Sequence, residues 1–237
     1  PDRVGIDMFG SSSPVIRDLH VEQAGRLLPF QNDWRYGIGM SVGSGSTPIV
    51  ERAYFTDHLL RGLNLWGGSG GIFRDIIMDN ISGATLGEPT GVWVEDSVPL
   101  FEDLRVDKSD TGIIVPHIDD SGYTRGVFRD VVITNSMYRG VYLDKQNHNN
   151  YSNYETADFT NLSVLGTGSV GAKTANIANA AIEVNATGAW LENVLVEDSS
   201  SVGVRLFRVD SSTTFRNLTI TDSGEAGQGP HSAGLSI

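Results

Sequence analysis

Eight residues of this 237-residue chain have the types and spacing to do chemistry together: Trp66, Trp93, Glu95, Asp96, His117, Tyr142, Asp144 and Lys145. Exposed aromatic rings stack on the apolar faces of pyranoses, while carboxylates and amides, Asn64 among them, take the hydroxyls. Paired carboxylates such as Glu95 and Asp144 can act as the acid and base of glycoside hydrolysis. Elimination at a uronate instead needs a proton acceptor, for which Lys145, His117 or Tyr142 would serve. An acidic pair would then hold a cation such as Ca2+. No other cofactor is implied. The competing reading of the same residues is a solvated face whose aromatics anchor loops.

Those residues take their places from a repeat. A block of Gly, aliphatic, any residue, aliphatic recurs as GIDM from Gly5, GIGM from Gly37, GLNL from Gly62, GVWV from Gly91 and GIIV from Gly112. It continues as GVYL from Gly140, AIEV from Ala181, GVRL from Gly203 and GLSI from Gly234. Each of the first eight is followed by a second block, such as GIFRDIIMDN, PLFEDLRVDK, GVFRDVVITN or AWLENVLVED. Its shared column of Asp and Asn runs through Asp18, Asp75, Asp103, Asp130, Asn161, Asn193 and Asn217, broken by Arg52.

Alternating apolar residues over four to six positions mark strands with one buried face. Two such strands per unit, repeating every ~20–40 residues, cannot bury their apolar sides alone. Stacked coil on coil at ~4.8 Å they enclose a common interior. Asp and Asn tolerate left-handed backbone and bond their neighbours, so their column suits a bend in every coil. A propeller would need four strands per blade, a sandwich would show Asn-Gly or Asp-Gly hairpins, and leucine-rich repeats would need a Leu-rich consensus. The expectation is an all-β chain, one right-handed parallel β-helix over 1–237 with about eight coils.

Stacking the blocks aligns residues in space. The first outward column reads Asp7, Gly39, Asn64, Trp93, Ile114, Tyr142, Glu183, Arg205, and the next Phe9, Ser41, Trp66, Glu95, Pro116, Asp144, Asn185, Phe207. Asp96, His117 and Lys145 fall just beyond. Glu95 and Asp144 then lie two coils apart, roughly 9–10 Å at the backbone, near the upper end for an inverting pair, about 6.5–9.5 Å. The segments Gly25–Tyr36, Gly83–Thr90, Gln146–Thr156 and Gly166–Ala180 read as loops flanking this face.

The net charge of −12, with Lys only at 108, 145 and 173, argues against nucleic acid, which rewards clusters of cations. Absence of Cys removes disulfides and thiolate metal sites. No apolar run approaches the ~18 residues of a membrane span. Asn80, Asn150, Asn161, Asn185 and Asn217 head Asn-x-Ser/Thr triplets, in keeping with an extracellular or cell-surface location. His117 with Asp119 and Asp120, and His148 alone, read as solvated residues rather than metal ligands.

The Gly-aliphatic blocks and the FRD, FED and FRN blocks resemble the right-handed β-helix superfamily of pectate-lyase-like proteins, polygalacturonase-like hydrolases, alginate epimerases and phage tailspikes. That resemblance is architectural and covers nearly the whole chain. The Arg-Ile-Lys and Gly-His-Gly signatures of polygalacturonases and the calcium-binding nonapeptides are absent. It implies a carbohydrate-active β-helix that binds or cleaves an extracellular polysaccharide, as a lyase or hydrolase. The alternative is a stalk, fibre or tailspike-like module without catalysis. The chain opens within a coil and stops inside a strand, so it is expected to be a segment of a larger protein, its open ends covered by flanking domains or other protomers.

Overall fold

A computed structural model describes residues 4–25, 36–83, 88–117, 124–145, 155–168, 180–185, 187–200, 202–209, 212–223 and 233–237. Much of the four long loops, together with Asp119, Asp120, His148 and His231, lies outside these residues. The described strands form two parallel sheets. Sheet A holds β1 (Val4–Met8), β3 (Ile38–Val42), β5 (Arg61–Leu65), β7 (Thr90–Val94), β9 (Thr111–His117), β11 (Arg139–Lys145), β13 (Ala180–Asn185), β15 (Val202–Phe207) and β17 (Ala233–Ser236). Sheet B holds β2 (Val15–Glu22), β4 (Ile49–Thr56), β6 (Ser69–Ile81), β8 (Ser97–Ser109), β10 (Gly126–Thr134), β12 (Glu155–Leu165), β14 (Gly188–Glu197) and β16 (Thr213–Thr221). Every strand pairs with the strand two places on, so the chain alternates between sheets and climbs one rung per coil. It is a parallel β-helix.

The inward columns form one continuous core. In sheet A, Met40, Leu63, Val92, Ile113, Val141, Ile182 and Val204 stack with no exposed surface. In sheet B the aromatic position of the second block stacks Phe73, Phe101, Phe128 and Phe159, with ring centroids 4.9, 5.1 and 4.5 Å apart. Parallel pairing repeats each residue type at the rung spacing, so identical rings meet face to face along the axis.

The corners follow from the polar columns. Asp18, Arg52, Asp75, Asp103, Asp130, Asn161, Asn193 and Asn217 all have φ between 52° and 58°, the left-handed region, midway along the sheet B strands. Their side chains join from rung to rung: Asn161 donates to Asp130 at 2.8 Å, Asn193 to Asn161 at 3.0 Å and Asn217 to Asn193 at 2.8 Å. Arg52 keeps the same backbone and donates to Asp18 at 2.6 Å. A second left-handed column, Gln23, Asp57, Asn80, Lys108, Asn135, Gly166, Asp198 and Asp222, ends each sheet B strand.

The recurring glycines have a packing cause. A Cβ on Gly112 would stand 2.5 Å from the Gly140 carbonyl oxygen and 2.6 Å from an Ile133 methyl, and Gly91 would meet Gly112 and Val106 at 2.6 Å each. Sheet A here runs against the ends of the sheet B strands, and only a missing side chain admits the contact.

One expected register is corrected. Val4 pairs with Ile38, Ile6 with Met40 and Asp7 with Ser41, so the second-coil block begins at Gly39, not Gly37. Gly37 belongs to the preceding corner, with φ +80° and its carbonyl accepting from Leu60 and Arg61. A shift of two residues leaves every side chain on the same face, so alternation cannot distinguish the two registers. Ser41 therefore stands beside Asn64, and Gly43 takes the place assigned to Ser41.

Candidate functional site

The outward face of sheet A carries most of the expected residues in the expected order. Asn64 pairs with Trp93, Trp93 with Ile114, Ile114 with Tyr142, and Tyr142 with Glu183. Asp144 pairs with Pro116 and Asn185, and Lys145 with His117 at the backbone. The β7–β9 ladder ends at Trp93 and Ile114, and Glu95 lies beyond it, its N–H donating to Leu65. Asp96 forms a left-handed corner, its N–H donating to Thr124 at 2.8 Å.

This face is less open than an outward column suggests. Asn64 is 1% exposed, Ile114 3% and Asp144 8%, while Trp66, Trp93, Tyr142, Glu95 and Asp96 are half-buried. Each aromatic already packs on one side. The Trp66 indole lies against Gly43, where a Cβ would collide with the ring, and donates to Ser41 at 3.2 Å. The Arg61 guanidinium sits 3.9 Å over Trp93, whose indole N–H donates to Glu95 at 2.9 Å. Arg139 sits 4.2 Å over Tyr142.

Asp144 accepts from Asn185 at 2.9 Å and from the Tyr142 hydroxyl. Burial, followed by the charge and hydrogen bond of Asp144, pushes the Tyr142 phenol well above its usual range. That makes the phenolate inaccessible at neutral pH and Tyr142 a poor proton acceptor. Glu95 and Asp144 sit on rungs separated by that of Pro116, each engaged by its own donor. Among the described residues no three His, Asp or Glu side chains converge as metal ligands.

Sequence reasoning missed a charged cluster at the leading edge of the sheet. Arg139 donates to Glu88 at 2.8 Å and to Glu183 at 3.1 Å, and Arg205 reaches Glu183 at 3.3 Å. Glu88 also accepts from the Thr111 hydroxyl. Burial, with the Glu88 charge second, pushes the Asp110 carboxyl up to about 6. The available signal was positional. Arg61 and Arg139 each stand immediately before a block glycine, and columns started at the glycine leave them out.

Fold and site together define a parallel β-helix whose outward sheet face carries aromatic, acidic and Arg side chains. The chain matches no family model and no curated protein. It is similar to a solved structure, the catalytic unit of a thermostable GH87 alpha-1,3-glucanase from Streptomyces thermodiastaticus strain HF3-3, with 12% identity over 93% of this chain and a TM-score of 0.41. The match spans 50% of that structure's chain. Among the described residues no helix is long and apolar enough to cross a membrane.

Proposed function

We propose that the chain is a secreted or surface carbohydrate-active β-helix that binds an extracellular polysaccharide along the outward face of sheet A. One observation carries the reading. Trp66, Trp93 and Tyr142 stand on this face, each partly exposed, with Glu95, Asp96, Asp144 and Asn64 between and beside them. Stacked rungs present such groups at a fixed ~4.8 Å repeat, a regular template for an extended glycan. For cleavage, Glu95 and Asp144 are the hydrolase pair, and Lys145 or His117 the lyase base.

The second reading, a stalk, fibre or tailspike-like module, is favoured by the burial of Asn64, Ile114 and Asp144 on the same face. A glycan array separates the two, joined to a polysaccharide panel followed at 235 nm for unsaturated product and by reducing ends. Binding that falls at least tenfold in Trp93→Ala supports the first reading. Silence in all three assays supports the second.

A further inference from the structure

Each sheet B strand bends at its left-handed residue, and the part before the bend presents an outward face of its own. Strand pairing aligns two columns on it. Val15, Ile49, Ile72, Leu100 and Val127 form an aliphatic column, and Arg17, Glu51, Arg74, Glu102 and Arg129 a charged one. A contiguous apolar column on an outward face marks an interaction surface. Val15 is 53% exposed, and the other four aliphatic residues are part-exposed. Beside them Val98 is 49% exposed and borders a notch at Gly70, where a Cβ would stand 3.6 and 3.7 Å from methyls of Val98 and Thr47.

The charged column shows what fits this face. Its signs alternate rung by rung, so a copy turned end for end about a two-fold axis between β6 and β8 meets opposite charges. Arg74 then faces the partner's Glu102 and Glu51 the partner's Arg129, while Arg17 meets the uncharged Thr160 of the partner subunit. The same axis lays Ile72 on the partner's Leu100, Ile49 on the partner's Val127 and Val98 over the notch at the partner's Gly70. An axis centred on a strand would oppose like charges, Arg74 against Arg74. One parallel to the solenoid would set the charged column against itself or against the Gly70–Val98 column, which holds no counter-charge for Arg74 or Glu102.

We propose that this face of sheet B is a self-association surface on which two copies of the chain pack antiparallel. Six overlapping rungs at ~4.8 Å, by five residues of strand at ~3.3 Å, cover roughly 500 Å² on each copy. A total of about 1,000 Å² is at the lower end for a specific interface, so the dimer is weak and concentration-dependent. Asp75, Asp103 and Asp130 edge the face, and the chain carries a net charge of −12, so association needs salt to screen them. The surface lies on the sheet opposite the proposed glycan face, and the two readings stand or fall separately.

Sedimentation velocity of the 237-residue chain in 0.15 M NaCl, from about 10 μM to about 1 mM, tests this. A shift from monomer to dimer, with no larger species, is expected across that range. Val98→Arg, at an exposed position, should weaken association at least tenfold. Arg74→Glu opposes two carboxylates at each Arg74–Glu102 contact, and Glu102→Arg opposes two guanidinium groups, so each variant alone should stay monomeric. Mixed in equal amounts, the two should associate again, because every such contact between them pairs Glu with Arg. Only the antiparallel arrangement predicts that rescue. Circular dichroism melts confirm that each variant is folded, and hydrogen exchange of the wild type should slow in β6 and β8 as concentration rises. A wild-type chain that is monomeric throughout overturns the proposal. So does a dimer that survives Arg74→Glu, or a mixture of folded variants that fails to associate.

Discussion

At the scale of the residue, a few side chains have consequences that can be measured one at a time. Asp110 is held near 6 in the fold against 3.8 for the free group, chiefly by burial. The folded state therefore keeps its proton to higher pH than the unfolded state. Its contribution is fully present below about pH 4 and is lost as pH rises through about 6. Asp110→Asn is expected to raise stability at pH 7.5 by about 1 kcal/mol, discounted for partial exposure, and to leave it unchanged at pH 4. Thermal melts at the two pH values check this, and a variant less stable at pH 7.5 would contradict it. Gly112→Ala places a methyl against both the Gly140 carbonyl and Ile133. It should cost roughly 1–3 kcal/mol in urea denaturation. His58, whose role the sequence did not disclose, is a fully buried corner residue whose Nδ1 accepts from the Ala24 N–H at 3.1 Å.

At the scale of the element, the sheet B strands show why columns rather than single residues carry stability. Phe101 is flanked by Phe73 and Phe128 in one stack, so Phe101→Ala should cost about 3–5 kcal/mol and Phe101→Leu clearly less. A result below 1 kcal/mol for the alanine variant would remove the stack from the core. The bend column gives a subtler test. Arg52 holds φ 57°, which asparagine adopts more readily, while its ion pair with Asp18 is exposed. Arg52→Asn should leave stability unchanged or raise it by up to about 1 kcal/mol, read from the denaturation midpoint. On the outer face of the same sheet, Arg17, Glu51, Arg74, Glu102 and Arg129 alternate in sign along consecutive rungs, with contacts of 2.7 to 3.5 Å. The charged position of the second block was legible in the sequence. Its alternation along the axis emerges once the rungs are stacked.

Over the whole molecule, burial is uneven. Inward side chains of β6, β8, β10 and β12 are almost fully enclosed, whereas β2 and β16 retain partly exposed inward positions such as Ile16, Leu19, Phe215 and Leu218. In a solenoid each coil is held by its neighbours. Native-state hydrogen exchange of the 237-residue chain should therefore be slowest for β6 to β12 and fastest for β2 and β16. Uniform protection along the axis would contradict that gradient.

The chain itself determined the architecture, because inward aliphatics, bend-forming Asp and Asn, and block glycines are each required by local geometry at every coil. Such local requirements leave a periodic trace in one dimension. The neighbours of Trp93 and Tyr142 were readable for the same reason, once the rungs were counted. Tertiary structure alone decided the register of the second coil, where Gly37 and Gly39 satisfy the same alternation and the observed pairing sets Gly39 in the block, closely packed on His58 and the Gly62 carbonyl. It also decided how open the outward face is and that Arg61 and Arg139 reach over its aromatics. Long side chains choose their partners across rungs by reach and charge, and neither quantity has a period in the sequence.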